Sequence, residues 1–153
     1  MNEWIKLLTN NDYLGAKKYI KDGADLNEAN ESEESVLAIA LRLRCDSELI
    51  MLLVESGANI YEFDDQGVSI FDNAITYNNI VLFEYILEQG IDVSKTDRRS
   101  RFTPLMAATC YGRAEMVKKL LDSGVDKEAV EDKGLTAKDF ARKMNKKSIL
   151  KLL

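Results

Sequence analysis

The chain is predicted to be an all-α solenoid of about five stacked helix–turn–helix units joined by short β-hairpin loops. Two phrases and their common period carry that prediction. The first is Gly23-Ala-Asp-Leu-Asn27, repeated as Gly57-Ala-Asn-Ile-Tyr61, Gly90-Ile-Asp-Val-Ser94 and Gly124-Val-Asp-Lys-Glu128; its glycines, at 23, 57, 90 and 124, advance in steps of 34, 33 and 34. The second is Ser35-Val-Leu-Ala-Ile-Ala40, repeated from Ser69, Thr103 and Thr136 in steps of 34, 34 and 33. Two markers holding one period describe a stack of small units, each burying its apolar face on its neighbours.

One unit shows why each element forms. Ser69 is a helix N-cap, and Ile70, Phe71, Ala74 and Ile75 follow it at helical spacing. Tyr77-Asn78-Asn79 interrupts the pattern. A second helix follows, with Ile80, Val81, Phe83, Tyr85, Ile86 and Leu87 apolar on more than one side, as a helix sandwiched between neighbours requires. Gly90 falls just past its end, where a left-handed residue closes a helix at low cost. Polar, turn-rich stretches such as Asp64-Asp65-Gln66-Gly67 fit a hairpin between units.

This pattern resembles the ankyrin-repeat family. Thr103-Pro-Leu-Met-Ala-Ala108 is its best match to Thr-Pro-Leu-His-x-Ala, and Gly23 to Asn27 its best match to Gly-Ala-Asp-Val-Asn. The chain departs from the family in having no histidine. Ala38, Asp72, Met106 and either Asp139 or Lys138 take the motif histidine's place, with Asp72 and Asp139 as candidates to replace its hydrogen bonds. Proline occurs in one motif copy of four. The 34-residue glycine steps imply single insertions, near Arg44-Cys45 and within Asp97 to Phe102.

The chain is read as one domain, 1–153, with an N-terminal cap at 1–30, repeats at about 31–63, 64–97 and 98–130, and a C-terminal cap at 131–153. Lysines on the first and last units give both ends a solvated face, which reads as a complete small protein. A net charge of −5 argues against nucleic-acid binding. No apolar run nears the roughly 18–20 residues needed to cross a bilayer, so no membrane association is expected. The first residues, Met1 to Leu8, lack secretory-signal features. Two cysteines, Cys45 and Cys110, suit a reducing compartment, and the expected location is the cytoplasm.

Without histidine, imidazole-based catalysis and metal binding are excluded. No cofactor, metal or catalytic residue is expected. The resemblance implies a non-catalytic module, monomeric, that binds a protein partner through a concave face of hairpin tips and first helices. Carried over by position, that face includes Glu34, Arg42, Asp65, Tyr77, Arg98, Arg99, Arg101, Phe102 and Tyr111. Tyrosine and arginine commonly anchor interfaces, although Phe102 and Tyr111 are equally readable as packing within the stack. Two alternatives stay open: a small inhibitor or antidote masking one toxin or enzyme, and an enzyme or regulatory subunit.

Overall fold

The computed structural model describes residues 1–153 and contains ten helices. They are α1 (Asn2–Thr9), α2 (Tyr13–Lys21), α3 (Val36–Arg42), α4 (Ser47–Glu55), α5 (Ile70–Thr76), α6 (Ile80–Glu88), α7 (Pro104–Cys110), α8 (Ala114–Asp122), α9 (Ala137–Lys143) and α10 (Lys147–Leu150). Each odd-numbered helix packs on the next even-numbered one. The odd helices also pack in succession as an inner row, and the even ones form an outer row. No helix is long and apolar enough to cross a membrane.

The inner row is spaced by alanine. Ala40, Ala74, Ala108 and Ala141 occupy the same turn of α3, α5, α7 and α9, and each is fully buried. Contacting side chains set the distance between helix axes, about 8–10 Å in general, and a methyl group permits the short end of that range. The outer row buries Ile50, Phe83 and Val117 at the matching turn of α4, α6 and α8, all far larger. The core runs without a break from Trp4 to Ile149. Phe71 and Phe83 stack within it at 4.9 Å between centroids.

The phrases fold as their chemistry requires. Ser35, Ser69, Thr103 and Thr136 each cap an inner helix, their side-chain oxygens accepting from the N–H three residues on at 3.0–3.2 Å. Asp72 and Asp139 return the bond, accepting from the N–H and hydroxyl of Ser69 and Thr136. Carboxylates thus complete the cap where the family motif has histidine. Thr136 accordingly holds the Asp139 carboxyl below the usual carboxylate range, with a smaller pull from Arg142 and Lys143. Pro104 supplies the first residue of α7, a position with no N–H bond to lose. The four phrase glycines follow α2, α4, α6 and α8 with φ between 78° and 117°.

The hairpins are sparser than expected. They contain no strands, and single antiparallel bridges join Ala29 to Ser35 and Phe63 to Ser69. Side-chain acceptors take N–H groups that a ladder would have used. Asn30 and Asp64 each accept two backbone N–H groups through Oδ1, and Glu131 does the same through Oε1, all at 2.9 Å. In the remaining loop Thr96 accepts from the Arg98 N–H and donates to the Phe102 carbonyl. Adjacent loops touch through backbone, with the Arg99 N–H on the Gln66 carbonyl and that of Asp132 on the Ser100 carbonyl. Gly67 marks how close they come, since a Cβ there would lie 1.8 Å from the Asp97 carbonyl oxygen.

The insertion near Arg44-Cys45 is present. The turn from α3 to α4 has four residues, Leu43 to Asp46, where the other such turns have three. The first unit also carries exposed apolar side chains, with Leu14 77% exposed and Ile5 and Tyr13 exposed as well. Trp4 is fully buried, stacked edge-on against Tyr19, and donates its indole N–H to the Asp25 carbonyl.

Both ends of α5 depend on the following unit. At its first turn, Arg98 Nε lies 3.3 Å from Asp72 Oδ2. At its last turn, Arg113 donates to the Ile75 and Thr76 carbonyls at 3.1 and 2.7 Å.

Ala108→Leu is expected to destabilise the fold by about 1–3 kcal/mol through overpacking, and Leu105→Ala by about 2–5 kcal/mol through a cavity. Urea unfolding measures both, and a neutral Ala108→Leu would contradict the close inner spacing. A second expectation concerns acid. Because the folded pKa of Asp139 is lowered, its contribution is present above the unfolded value of about 3.9 and is lost as pH falls through the folded pKa. Asp139→Asn should therefore lower the melting temperature near neutrality, with a difference from wild type that shrinks in strong acid.

Candidate protein-binding face

The inner helices end in a phased row. Leu43, Tyr77, Tyr111 and Met144 are the C-cap residues of α3, α5, α7 and α9. Three of them are exposed, Leu43 at 37%, Tyr111 at 49% and Met144 at 47%, while Tyr77 is half-buried. Arg44 lies over the Tyr77 ring at 5.9 Å and Arg113 over the Tyr111 ring at 5.7 Å. Three exposed apolar side chains thus recur at one helical position, unlike residues scattered singly over a surface.

Between the loops around Glu34 and Asp65 lies a groove of about 270 Å³. Its floor includes Ala38, Asn73 and Tyr77, and its walls carry Glu33, Glu34, Glu62, Asp64 and Asp65 with Phe63. Asp65 is exposed at a loop tip. Glu34 and Arg42 also meet here, but as a closed pair, with Arg42 Nε and Nη2 donating to the two Glu34 oxygens at 2.7 and 3.1 Å. Arg42 holds the Glu34 carboxyl below its usual range, so the two side chains largely satisfy each other.

The third loop separates the arginines that the sequence grouped. Arg99 and Arg101 are exposed. Arg98 is turned into the stack, its side chain 16% exposed against Asp72 and its guanidinium 5.2 Å from the Phe102 ring centroid. Phe102 is half-buried and packs edge-on against Phe140 at 5.3 Å. These two residues build the stack more than they face solvent. The buried carboxylate at the α5 cap attracts Arg98, and the Phe102 ring covers it.

Three exposed charges, Glu33, Arg44 and Arg101, occupy left-handed backbone. Two residues before each inner-helix cap the chain turns left-handed, with φ of 61° at Glu33, 79° at Gly67, 62° at Arg101 and 80° at Gly134. Glycine meets that requirement in two units, whereas Glu33 and Arg101 meet it at a steric cost.

Sequence reasoning missed Tyr61 and Phe63, each 59% exposed beside the groove. Their alternation in Tyr61-Glu62-Phe63-Asp64 was an available signal, since alternate residues of an extended segment share a side. It also missed the loop-closing acceptors Asn30, Asp64 and Glu131, each five residues before a cap. No trio of histidine, cysteine or acidic side chains is grouped as a metal site. Burial pushes the Cys45 thiol up to about 11 and raises that of Cys110, so both are protonated at neutral pH.

The ankyrin-repeat family model matches residues 100–132. Similar curated proteins include the E3 ubiquitin-protein ligase hecd-1 of Caenorhabditis elegans, 36% identical over 90 residues, covering 58% of this chain and 3% of that protein. The E3 ubiquitin-protein ligase Ufd4 of Drosophila melanogaster is 34% identical over 98 residues, covering 63% of this chain and 4% of that protein. A putative ankyrin repeat protein of Borreliella burgdorferi is 34% identical over 73 residues, covering 48% of this chain and 33% of that protein. The chain thus spans a small part of the two ligases and a third of the bacterial protein. The phased phrases, the paired helices in two rows and these matches agree: the chain belongs to the ankyrin-repeat family.

Proposed function

We propose that the chain is a non-catalytic module that binds a partner protein through its inner face, in the cytoplasm and as a monomer. Ankyrin repeats generally mediate protein–protein interaction, and this fold supplies the rigid surface that such binding uses. The observation that carries the reading is the row of exposed Leu43, Tyr111 and Met144 at successive helix ends. Tyr111 is a large, rigid side chain that is immobilised at low entropic cost, and the flexible Met144 can adapt to what it meets. The left-handed Glu33 and Arg101 add support. Side chains kept where glycine is easier are candidates for use at the surface. Free, protonated thiols accord with a reducing compartment.

Affinity capture from the native source tests the proposal. Wild-type chain should retain a protein at stoichiometric level that Arg99→Ala/Tyr111→Ala loses while its melting temperature is unchanged. Arg101→Gly separates binding from folding more sharply. It should hold or raise stability by up to about 1 kcal/mol, because the left-handed strain is relieved, and yet weaken capture. Capture indifferent to all three substitutions would refute this face as the binding site.

A further inference from the structure

Beside the acidic groove, and sharing Phe63 with it, is a second cavity of about 150 Å³. It is too small for a drug-sized ligand, whose pockets run from about 300 Å³, and has room for one side chain. Ile60, Ile86, Ile91 and Asp72 are among the residues that line it. Asp72 is only 3% exposed; its Oδ1 has no hydrogen-bond partner, and neither has the Nε of the neighbouring Arg98. Its other oxygen, Oδ2, is occupied by Ser69 and faces Arg98. A buried acceptor without a donor is costly to maintain.

Building on the interaction-module reading, we propose that this cavity receives a lysine side chain from an extended, basic segment of the partner, the rest of which lies along the acidic groove. Lysine fits better than arginine for two reasons. One free carboxylate oxygen offers a single point of attachment, which suits a compact ammonium; a guanidinium fork gains most from two. The isoleucine walls match the four-carbon stem, which buries while its charged end is satisfied. The electrostatics agree. Asp72, Asp92 and Asp97 line the cavity against one resident cation, Lys95, which sits 3.9 Å from Asp92. Arg98 offsets part of the Asp72 charge and leaves Oδ1 free. Across Phe63, the unpaired Glu33, Glu62 and Asp65 extend the negative surface that would orient flanking basic residues.

The test uses the full chain and three bead-displayed nonapeptide libraries, whose central residue is lysine, Nε-acetyl-lysine or glutamate. Retention should favour the lysine library, with further basic residues selected around the centre. For peptides so selected, Asp72→Asn should weaken binding roughly tenfold or more, the size of one hydrogen bond to a charged group. Asparagine can still accept from the Ser69 N–H. Because that substitution touches a helix cap, Glu33→Lys/Glu62→Lys/Asp65→Lys provides an independent arm. None of those three side chains is hydrogen-bonded or ion-paired, so the fold should hold while binding is lost. Equal retention on acetyl-lysine, retention on no library, or affinities unchanged in both variants would overturn the proposal. Glutamate-selected peptides that depend on Arg99 and Tyr111 would also overturn it while leaving the interaction module standing. Self-association abolished by the triple charge reversal would assign the groove to a second copy of the chain and equally overturn it.

Discussion

The close approach of the inner helices is the constraint on which the rest of the structure depends. Ala40, Ala74, Ala108 and Ala141 are each fully buried between successive helices. Any larger residue in that column would push two units apart and open gaps under every outer helix that bridges them. Because no unit has a core of its own, a local error at the column is shared by both neighbours. The loops and the C-cap row that the inner helices carry repeat at the same positions of each unit.

Short helices need help at their ends, and here it comes from two sources. An inner helix of seven residues leaves four N–H and four C=O groups without an internal partner, more than the bonds it makes within itself. Ser or Thr supplies the first acceptor in every motif copy, and Asp72 or Asp139 closes the box in two of them. Met106 occupies the same position in α7, with a long contact of 3.5 Å from the Thr103 N–H to its sulfur. Where the family motif has histidine, this chain therefore has a carboxylate in two copies, a thioether in one and, at Ala38, no acceptor. The carboxylate solution has a side effect, since it places a charge in a nearly dry site. At α5 that charge is what draws Arg98 inward.

Much of the fold was legible because its signals are local and repeated. Ser69 before an apolar helical pattern, Gly90 after one, and the 34-residue steps each translate directly into a cap, a helix end and a unit boundary. The four-residue turn at Leu43 to Asp46 was readable by the same counting. The surface was less legible. Arg98, Arg99 and Arg101 look alike in sequence, yet one faces a carboxylate 26 positions earlier and the others face solvent. That partition is set by contacts between units, which a period cannot reveal. Phe63 escaped notice for a related reason: it lies outside both phrases, and only the neighbouring loop makes its exposure meaningful. The loops were read as strand pairs because their turn residues fit hairpins, whereas Asn30, Asp64 and Glu131 intercept the bonds that strands would share.

The dependence of α5 on Arg98 and Arg113 has a consequence for how the protein is made. A growing chain that has emerged only as far as Glu88 holds α5 and α6 with the Asp72 carboxylate lacking its cation and the Ile75 and Thr76 carbonyls lacking their donors. The third unit is thus sequenced before it is finished, and its closure waits on about twenty-five further residues, through Arg113. Over that interval the nascent chain presents an incomplete edge. A pause in translation there would lengthen the life of a species whose inner helix is formed but not locked, and whose apolar surface is open to chaperones.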